Sequence, residues 1–360
     1  MSRCTFDPEP SGRPRGRGAT GNPVNRFAKL HYEADPSDEP STQRDQVVTE
    51  ILEDDARTII ARNQSPDVGF EVSVNPYRGC EHGCAYCYAR PTHEFLGFSA
   101  GLDFESKILV KRRAPDLLAA ELSAPSWRPQ TLTLSGVTDC YQPVEAKLGL
   151  TRACLEVLAR FRNPVFVITK NQLVTRDADL LTELAAHKAV AVTLSLTTLD
   201  LDLARKLEPR ASAPAARLRA VERLRASGIP VGINLAPVMP GLNDHEIPAL
   251  LAAAAAAGAT FAGMTMVRLP LAVAPLFTQW LEKHFPERKN RVLDQIRSMR
   301  DGKLNVSEFG ERMRGNGPLA QQLHRMFEVS SRRAGLAHDA PRLNAGAFRR
   351  VMAGQLELKF

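Results

Sequence analysis

The chain has no apolar run of the ~18 residues that a membrane helix needs. Its alanine-rich stretch around Ala249–Ala257 is too short and too weakly apolar. Met1–Pro10 carries Asp7, Glu9 and two prolines and lacks the apolar segment of a secretory signal, so a cytoplasmic protein is expected. Cysteine is sparse, six in 360 residues, which excludes a disulfide-stapled secreted domain. Neither charge sign dominates strongly. With 47 basic and 40 acidic residues the net charge is +7, an excess that suits nucleic-acid contact without establishing it. A hydrophobic share of 44% against 24% charged excludes a wholly disordered chain.

The first 65 residues differ from the rest. Arg13, Arg15 and Arg17 alternate with Gly16 and Gly18, and Glu33–Arg57 holds nine acidic and two basic residues. Residues 1–65 read as a partly disordered N-terminal arm with a short helix near Ala56–Ala61. Whether the arm packs on the core stays open.

From Val68 onward, short apolar runs alternate with helical patterns. The runs are Phe70–Val74, Thr131–Ser135, Val165–Thr169, Ala191–Leu196, Val231–Leu235 and Phe261–Thr265. Helical patterns follow at Pro115–Leu122, Leu150–Phe161, Asp177–Ala186, Pro214–Ala226, Asp244–Ala257 and Val273–His284. Near-continuous apolar runs suit parallel strands covered by helices. The fold expected over residues 66–285 is therefore α/β, a partial (β/α)6 TIM-like barrel or open parallel sheet with right-handed crossovers. Both put the active site at the C-terminal ends of the strands. Residues 286–334 read as a basic helical cap, a C-terminal helical extension, and 335–360 as a flexible polar tail.

Chemistry concentrates after the first strand, in Cys80-Glu-His-Gly-Cys84-Ala-Tyr-Cys87. Three thiolates on one loop suit three irons of a [4Fe–4S] cluster, and without a fourth cysteine nearby the last iron is open to another ligand. Gly79 and Gly83 allow the tight backbone that wraps a cluster. The competing reading is a zinc site completed by His82 or His93.

The Cys-x3-Cys-x-aromatic-Cys pattern opening six βα units resembles the radical S-adenosylmethionine (SAM) superfamily over roughly residues 66–280. The longer stretch Asn75-Pro-Tyr-Arg-Gly-Cys80 through Cys87-Tyr-Ala-Arg-Pro-Thr-His93, with Gly101-Leu-Asp-Phe-Glu105 following, is similar to a bacterial branch labelled "DNA repair photolyase". That branch is distantly related to spore photoproduct lyase, which reverses a thymine dimer in DNA. The resemblance implies that Cys80, Cys84 and Cys87 hold the cluster and that S-adenosylmethionine chelates its open iron. It also implies a 5′-deoxyadenosyl radical and an electron donor such as flavodoxin or ferredoxin. Tyr86 takes the aromatic position beside the adenine.

The other strand ends supply the remaining candidates. Gly136-Val137-Thr138 stands where many relatives carry Gly-Gly-Glu, leaving Thr138 or backbone carbonyls such as that of Gly136 for the amino group of S-adenosylmethionine. Cys140 lies where a cysteine of the lyase returns a hydrogen atom to the product, although an inert, half-buried thiol is the alternative. Asp139 and Glu145 read as possible structural caps and Cys154 as core. Lys170 is expected to pair with the methionyl carboxylate. Ser195, then Thr197, are expected at the ribose. Arg210 and Ser212 stand at a helix N-terminus suited to a carboxylate, or Ser212 simply caps it. Asn234 is expected near the adenine, and Arg268 is a candidate for facing substrate.

The last six residues, Gln355-Leu356-Glu-Leu358-Lys-Phe360, resemble the bacterial sliding-clamp-binding hexapeptide. The reading that emerges is a [4Fe–4S]-dependent radical enzyme acting on DNA. RNA, a peptide or a small metabolite is the alternative substrate, and a non-catalytic zinc-stabilised nucleic-acid-binding protein is the alternative class.

Overall fold

A computed structural model describes residues 16–28 and 47–351. Cys4, Arg13, Arg15 and the hexapeptide Gln355–Phe360 lie outside the described residues.

The elements in order are β1 (Glu50–Glu53), β2 (Ile60–Arg62), β3 (Val72–Val74), β4 (Tyr77–Arg78), α1 (Leu102–Ser106), β5 (Lys107–Val110) and α2 (Ala114–Ser123). Next come β6 (Leu132–Leu134), α3 (Glu145–Leu148), α4 (Leu150–Phe161), β7 (Val165–Thr169), α5 (Ala178–Ala186), β8 (Val190–Ser195), α6 (Leu201–Leu207) and α7 (Pro214–Ala226). The chain continues with β9 (Val231–Val238), α8 (Ile247–Ala256), β10 (Phe261–Met266), α9 (Val273–His284), α10 (Pro286–Ser298) and α11 (Gly317–Arg333).

Seven strands form one sheet in the order β10-β9-β8-β7-β6-β3-β2. The first six pair in parallel, and β2 adds an antiparallel edge. Among the described residues β10 does not pair with β2, so the sheet is open rather than a closed barrel. All six expected strands are present. Val190–Ser195 is buried throughout, as a strand covered on both faces must be. The expected helix near Ala56–Ala61 is instead the edge strand β2, whose Ile60 N–H faces Glu121 of α2. A second small sheet, β1-β5-β4, lies outside the expected pattern.

Helix α4 shows why the amphipathic patterns fold as read. Cys154, Leu155, Leu158 and Phe161 fall on its buried side, and Glu145 accepts hydrogen bonds from the N–H groups of Thr151 (3.0 Å) and Arg152 (3.4 Å). Asp200 caps α6 in the same way, accepting from Asp202 and Leu203.

The structure settles what the sequence left open for the arm and differs from expectation at the tail. The described part of the arm packs on the protein: Gly18 and Ala19 donate to Glu105 at 2.9 and 2.8 Å. The described part of the tail, residues 335–351, is anchored as well. Ala337 bridges to Phe261 on the free edge of β10, and Arg350 donates to the Trp127 carbonyl. α10 buries Val292, Leu293 and Ile296 against α9, while α11 joins the main core through Leu323 and Phe327. These helices flank the sheet.

Candidate active site

A cavity of about 690 Å³ opens at the C-terminal ends of the parallel strands. It gathers Cys80, Cys84, Tyr86, Cys87, Gly136, Thr138, Lys170, Ser195 and Asn234 onto one wall system. These residues span 155 positions of sequence but sit at the ends of successive strands, where the topology brings them together.

The cysteine loop is fixed from several sides. Gly79 and Gly83 have φ of +77° and +65°, a region that favours glycine. A side chain at 79 would meet the carbonyls of Phe104 and Lys107 at 3.0 Å. Gln142 accepts from the Glu81 N–H (2.9 Å) and donates to the Gly79 carbonyl (3.1 Å). Arg90, fully buried, donates from Nε (3.0 Å) and Nη2 (2.9 Å) to the Cys84 carbonyl and pairs with fully buried Glu105. Glu105 in turn holds the strap of Gly18 and Ala19 against the outside of the loop.

Burial pushes all three thiols above the ordinary cysteine value. As free thiols they stay protonated at neutral pH; a thiolate here needs a cation bound to it. Among the described residues no three His, Cys, Asp or Glu side chains converge on a single metal ion. A cluster makes no such demand, since each thiolate binds a different iron. Of the zinc partners considered, His82 Nδ1 lies 3.3 Å from Asp139, and His93 packs between Phe98 and Phe104 and does not line the cavity with the cysteines. The loop therefore fits an iron–sulfur cluster better than one zinc ion.

Behind Tyr86 sits a residue the sequence did not single out. Glu208, 3% exposed, accepts from Thr197 Oγ1 (2.7 Å), from the Tyr86 hydroxyl and from Arg217, with Lys170 Nζ at 3.4 Å. Burial pushes its pKa up, but Arg217 and Lys170 outweigh burial and hold it far below the usual carboxylate range. Lys170 also donates to the Ala236 carbonyl (3.1 Å) and lies over the Tyr86 ring. Its ammonium thus has protein partners, where the sequence suggested one awaiting a ligand carboxylate. Thr197 faces Glu208, not the cavity.

Other expected residues are also placed differently. Arg210 pairs with Glu81 at 3.0 Å and does not line the cavity. Ser212 donates to Asn171 (2.9 Å) and leaves the α7 cap to Ala213. Cys140 is fully buried, its N–H donating to Ser135 Oγ, and it stands in the core behind the wall. The hydroxyl of Thr138 donates to the Tyr77 carbonyl (2.8 Å), and the Gly136 carbonyl accepts from Tyr88 (2.7 Å). Asp139, expected as a cap, accepts from Thr169 (2.8 Å) and the Lys170 N–H (2.7 Å). Burial raises its pKa, but His82 and these donors outweigh burial and lower it. Ser195 and Asn234 remain on the wall.

Residues 74–254 match the family model of the radical SAM superfamily. The chain belongs to that superfamily. As a radical SAM enzyme it implies an iron–sulfur cluster and S-adenosylmethionine, and the non-catalytic zinc reading falls away. Uncharacterized proteins of Mycobacterium tuberculosis and Mycobacterium bovis are 38% identical over 244 residues, covering 66% of this chain and 71% of theirs. A radical SAM Nα-GlyT isomerase of Pseudomonas phage M6 is 26% identical over 227 residues, covering 62% of this chain and 45% of its own. Among solved structures, spore photoproduct lyase complexed with dinucleoside spore photoproduct aligns with a TM-score of 0.60 at 16% identity, covering 80% of this chain and 81% of that one. That likeness is one of fold. No helix among the described residues is long and apolar enough to cross a membrane.

Proposed function

We propose that this radical SAM enzyme uses a [4Fe–4S] cluster held by Cys80, Cys84 and Cys87 and acts on DNA, reversing or modifying a base. The observation that carries the reading is the single cavity shared by the three cysteines, Tyr86 and the polar strand ends. When bound, the cluster with S-adenosylmethionine on its open iron supplies reductive cleavage to a 5′-deoxyadenosyl radical. The chain's own part is to bind and orient. Ser195, Asn234 and Gly136 offer polar groups along the wall, and Glu208 with Lys170 and Thr197 fixes Tyr86 from behind. Phe70, Val137, Phe166 and Met266 make the remaining wall largely apolar, which excludes water from a reactive radical.

DNA is favoured by three supports. The lyase structure of like fold is complexed with a dinucleoside. The cavity mouth carries Arg268 and Arg342. The net charge is +7. A base reaching this cavity must leave its stack. The electron comes from a donor such as flavodoxin or ferredoxin.

The test is anaerobic reconstitution, reduction with S-adenosylmethionine present, and assay of 5′-deoxyadenosine with and without a duplex. Production of 5′-deoxyadenosine, together with duplex binding that weakens steeply with salt, supports the reading. Bound zinc with no 5′-deoxyadenosine overturns it, and absence of binding at low salt removes DNA as substrate.

A further inference from the structure

The cavity wall at the end of β10, beside Tyr88, carries a surplus of positive charge. Arg268 leaves the C-terminal end of β10 into the cavity, with its guanidinium 4.5 Å over the Tyr88 ring. Tyr88 immediately follows Cys87 and donates to the Gly136 carbonyl at 2.7 Å, so the platform under Arg268 is itself pinned to the site. Behind it lies Arg300, fully buried, whose donors go to the carbonyls of Val267 and Arg312 (3.2 Å). Neither Arg268 nor Arg300 makes an ion pair with a carboxylate of the described residues. Arg312 completes the cluster, and its charge is matched by Asp67 at 2.6 Å. Asp67 is spent there: its other oxygen accepts from the Gly310 N–H at 2.6 Å. Asp339, the remaining carboxylate on this side of the cavity, is exposed.

Burying guanidinium charge without a carboxylate is costly. Burial lowers the pKa of both residues, that of Arg300 to about 10 with Arg268 adding to the shift; at Arg268 burial and Arg312 outweigh the opposing pull of Tyr88, Asp67 and Cys87. An anion on the cavity side of Arg268 relieves that cost. The stacked guanidinium keeps its planar fork of donors, which suits two oxygens of one phosphate.

We infer that Arg268 recognises a backbone phosphate of the substrate strand, with Arg300 as the positive backing and Tyr88 as the platform that fixes its plane. This deepens, and rests on, the reading of DNA as substrate. It assigns the two sides of the cavity different duties: the cysteine side holds cofactor, and the arginine side sets the register of the strand.

The experiment compares Arg268→Gln and Arg268→Lys with the parent, each first shown to carry the same iron and the same far-ultraviolet dichroism. The probe is a short oligothymidylate, beside a counterpart with uncharged methylphosphonate linkages, followed by anisotropy across a salt series. The parent is expected to prefer the charged probe by about tenfold, with Arg268→Gln losing that preference and its salt slope falling by about one. Arg268→Lys keeps the slope but binds more weakly, because it lacks the fork. Equal binding of the charged probe by parent and Arg268→Gln, with equal slopes, overturns this inference and leaves the DNA reading standing. No binding by the parent of either probe or of a duplex at low salt overturns both.

Discussion

The two sides of the cavity solve opposite electrostatic problems. On the cysteine side, among the described residues, buried charges are mostly paired: Arg90 with Glu105, Glu208 with Arg217 and Lys170, Asp139 with His82, and Glu81 with Arg210. On the arginine side, Arg268 stacks on a tyrosine and Arg300 donates only to carbonyls, with no carboxylate between them. Matched charges in a dry interior fix geometry, since removing one partner strands the other. Unmatched charges beside a cavity are suited to recognition. The contrast separates residues whose loss undoes the site from those whose loss changes what the site accepts.

The largest break comes from the cysteines themselves. Cys84→Ala is expected to abolish stoichiometric iron binding and all 5′-deoxyadenosine formation, read by iron analysis and product assay. Retention of a full iron complement would show that this loop is not the cluster site. Glu105→Gln comes next. It keeps the shape but leaves fully buried Arg90 without its counter-ion, a break worth about 3–5 kcal/mol. The urea midpoint should fall, and iron should be lost with it, because Arg90 also holds the Cys84 carbonyl. An unchanged midpoint would show that the cysteine side is not held by matched charge.

How much of this was legible in the sequence follows from where partners lie along the chain. The three cysteines fall within eight residues, so their chemistry is visible as a motif. The strands are legible because buried apolar runs such as Val190–Ser195 have no other use in a chain of this composition. Strand β5 was not, because Lys107–Val110 follows a five-residue helix without a turn residue and only two of its four residues are buried. Glu208 escaped notice because it draws its partners Tyr86, Lys170, Thr197 and Arg217 from separate segments, and the strap because Ala19 and Glu105 are 86 apart. Long-range pairing of polar groups leaves no periodic trace. Lys170 and Cys140 follow the ends of β7 and β6, but sequence alone does not say which way a side chain turns. Lys170 turns to Glu208, and Cys140 turns into the core.

Gly18 offers a sharper cut at the same side without touching a charge. A Cβ there would lie 1.7 Å from the Gly83 carbonyl oxygen, so even alanine forces the strap off the cysteine loop. Overpacking of this kind costs about 1–3 kcal/mol. Gly18→Ala is expected to load iron but to lose its visible absorption several times faster in air than the parent. The matched change on the other side, Arg268→Gln, should leave that rate alone. Equal bleaching of Gly18→Ala and parent would mean the strap does not shield the loop.

The smallest expected effect concerns acid. His93 is fully buried between aromatic rings beside the cysteine loop, and burial pulls its pKa down from 6.5 to about 4. The unfolded chain therefore binds this proton at a higher pH than the folded one. The stability it contributes is whole above pH 6.5 and is lost as pH falls toward 4. Between pH 7 and 5 the loss from this one group is about 2 kcal/mol. Asp139 and Glu208, both held below their ordinary values, lose their contribution only at lower pH. In a His93→Phe variant the urea midpoint should fall less steeply with pH across that window than in the parent, whatever its absolute stability. Parallel slopes would show that the cysteine side does not keep His93 neutral, and that its matched, dry interior ends short of this ring.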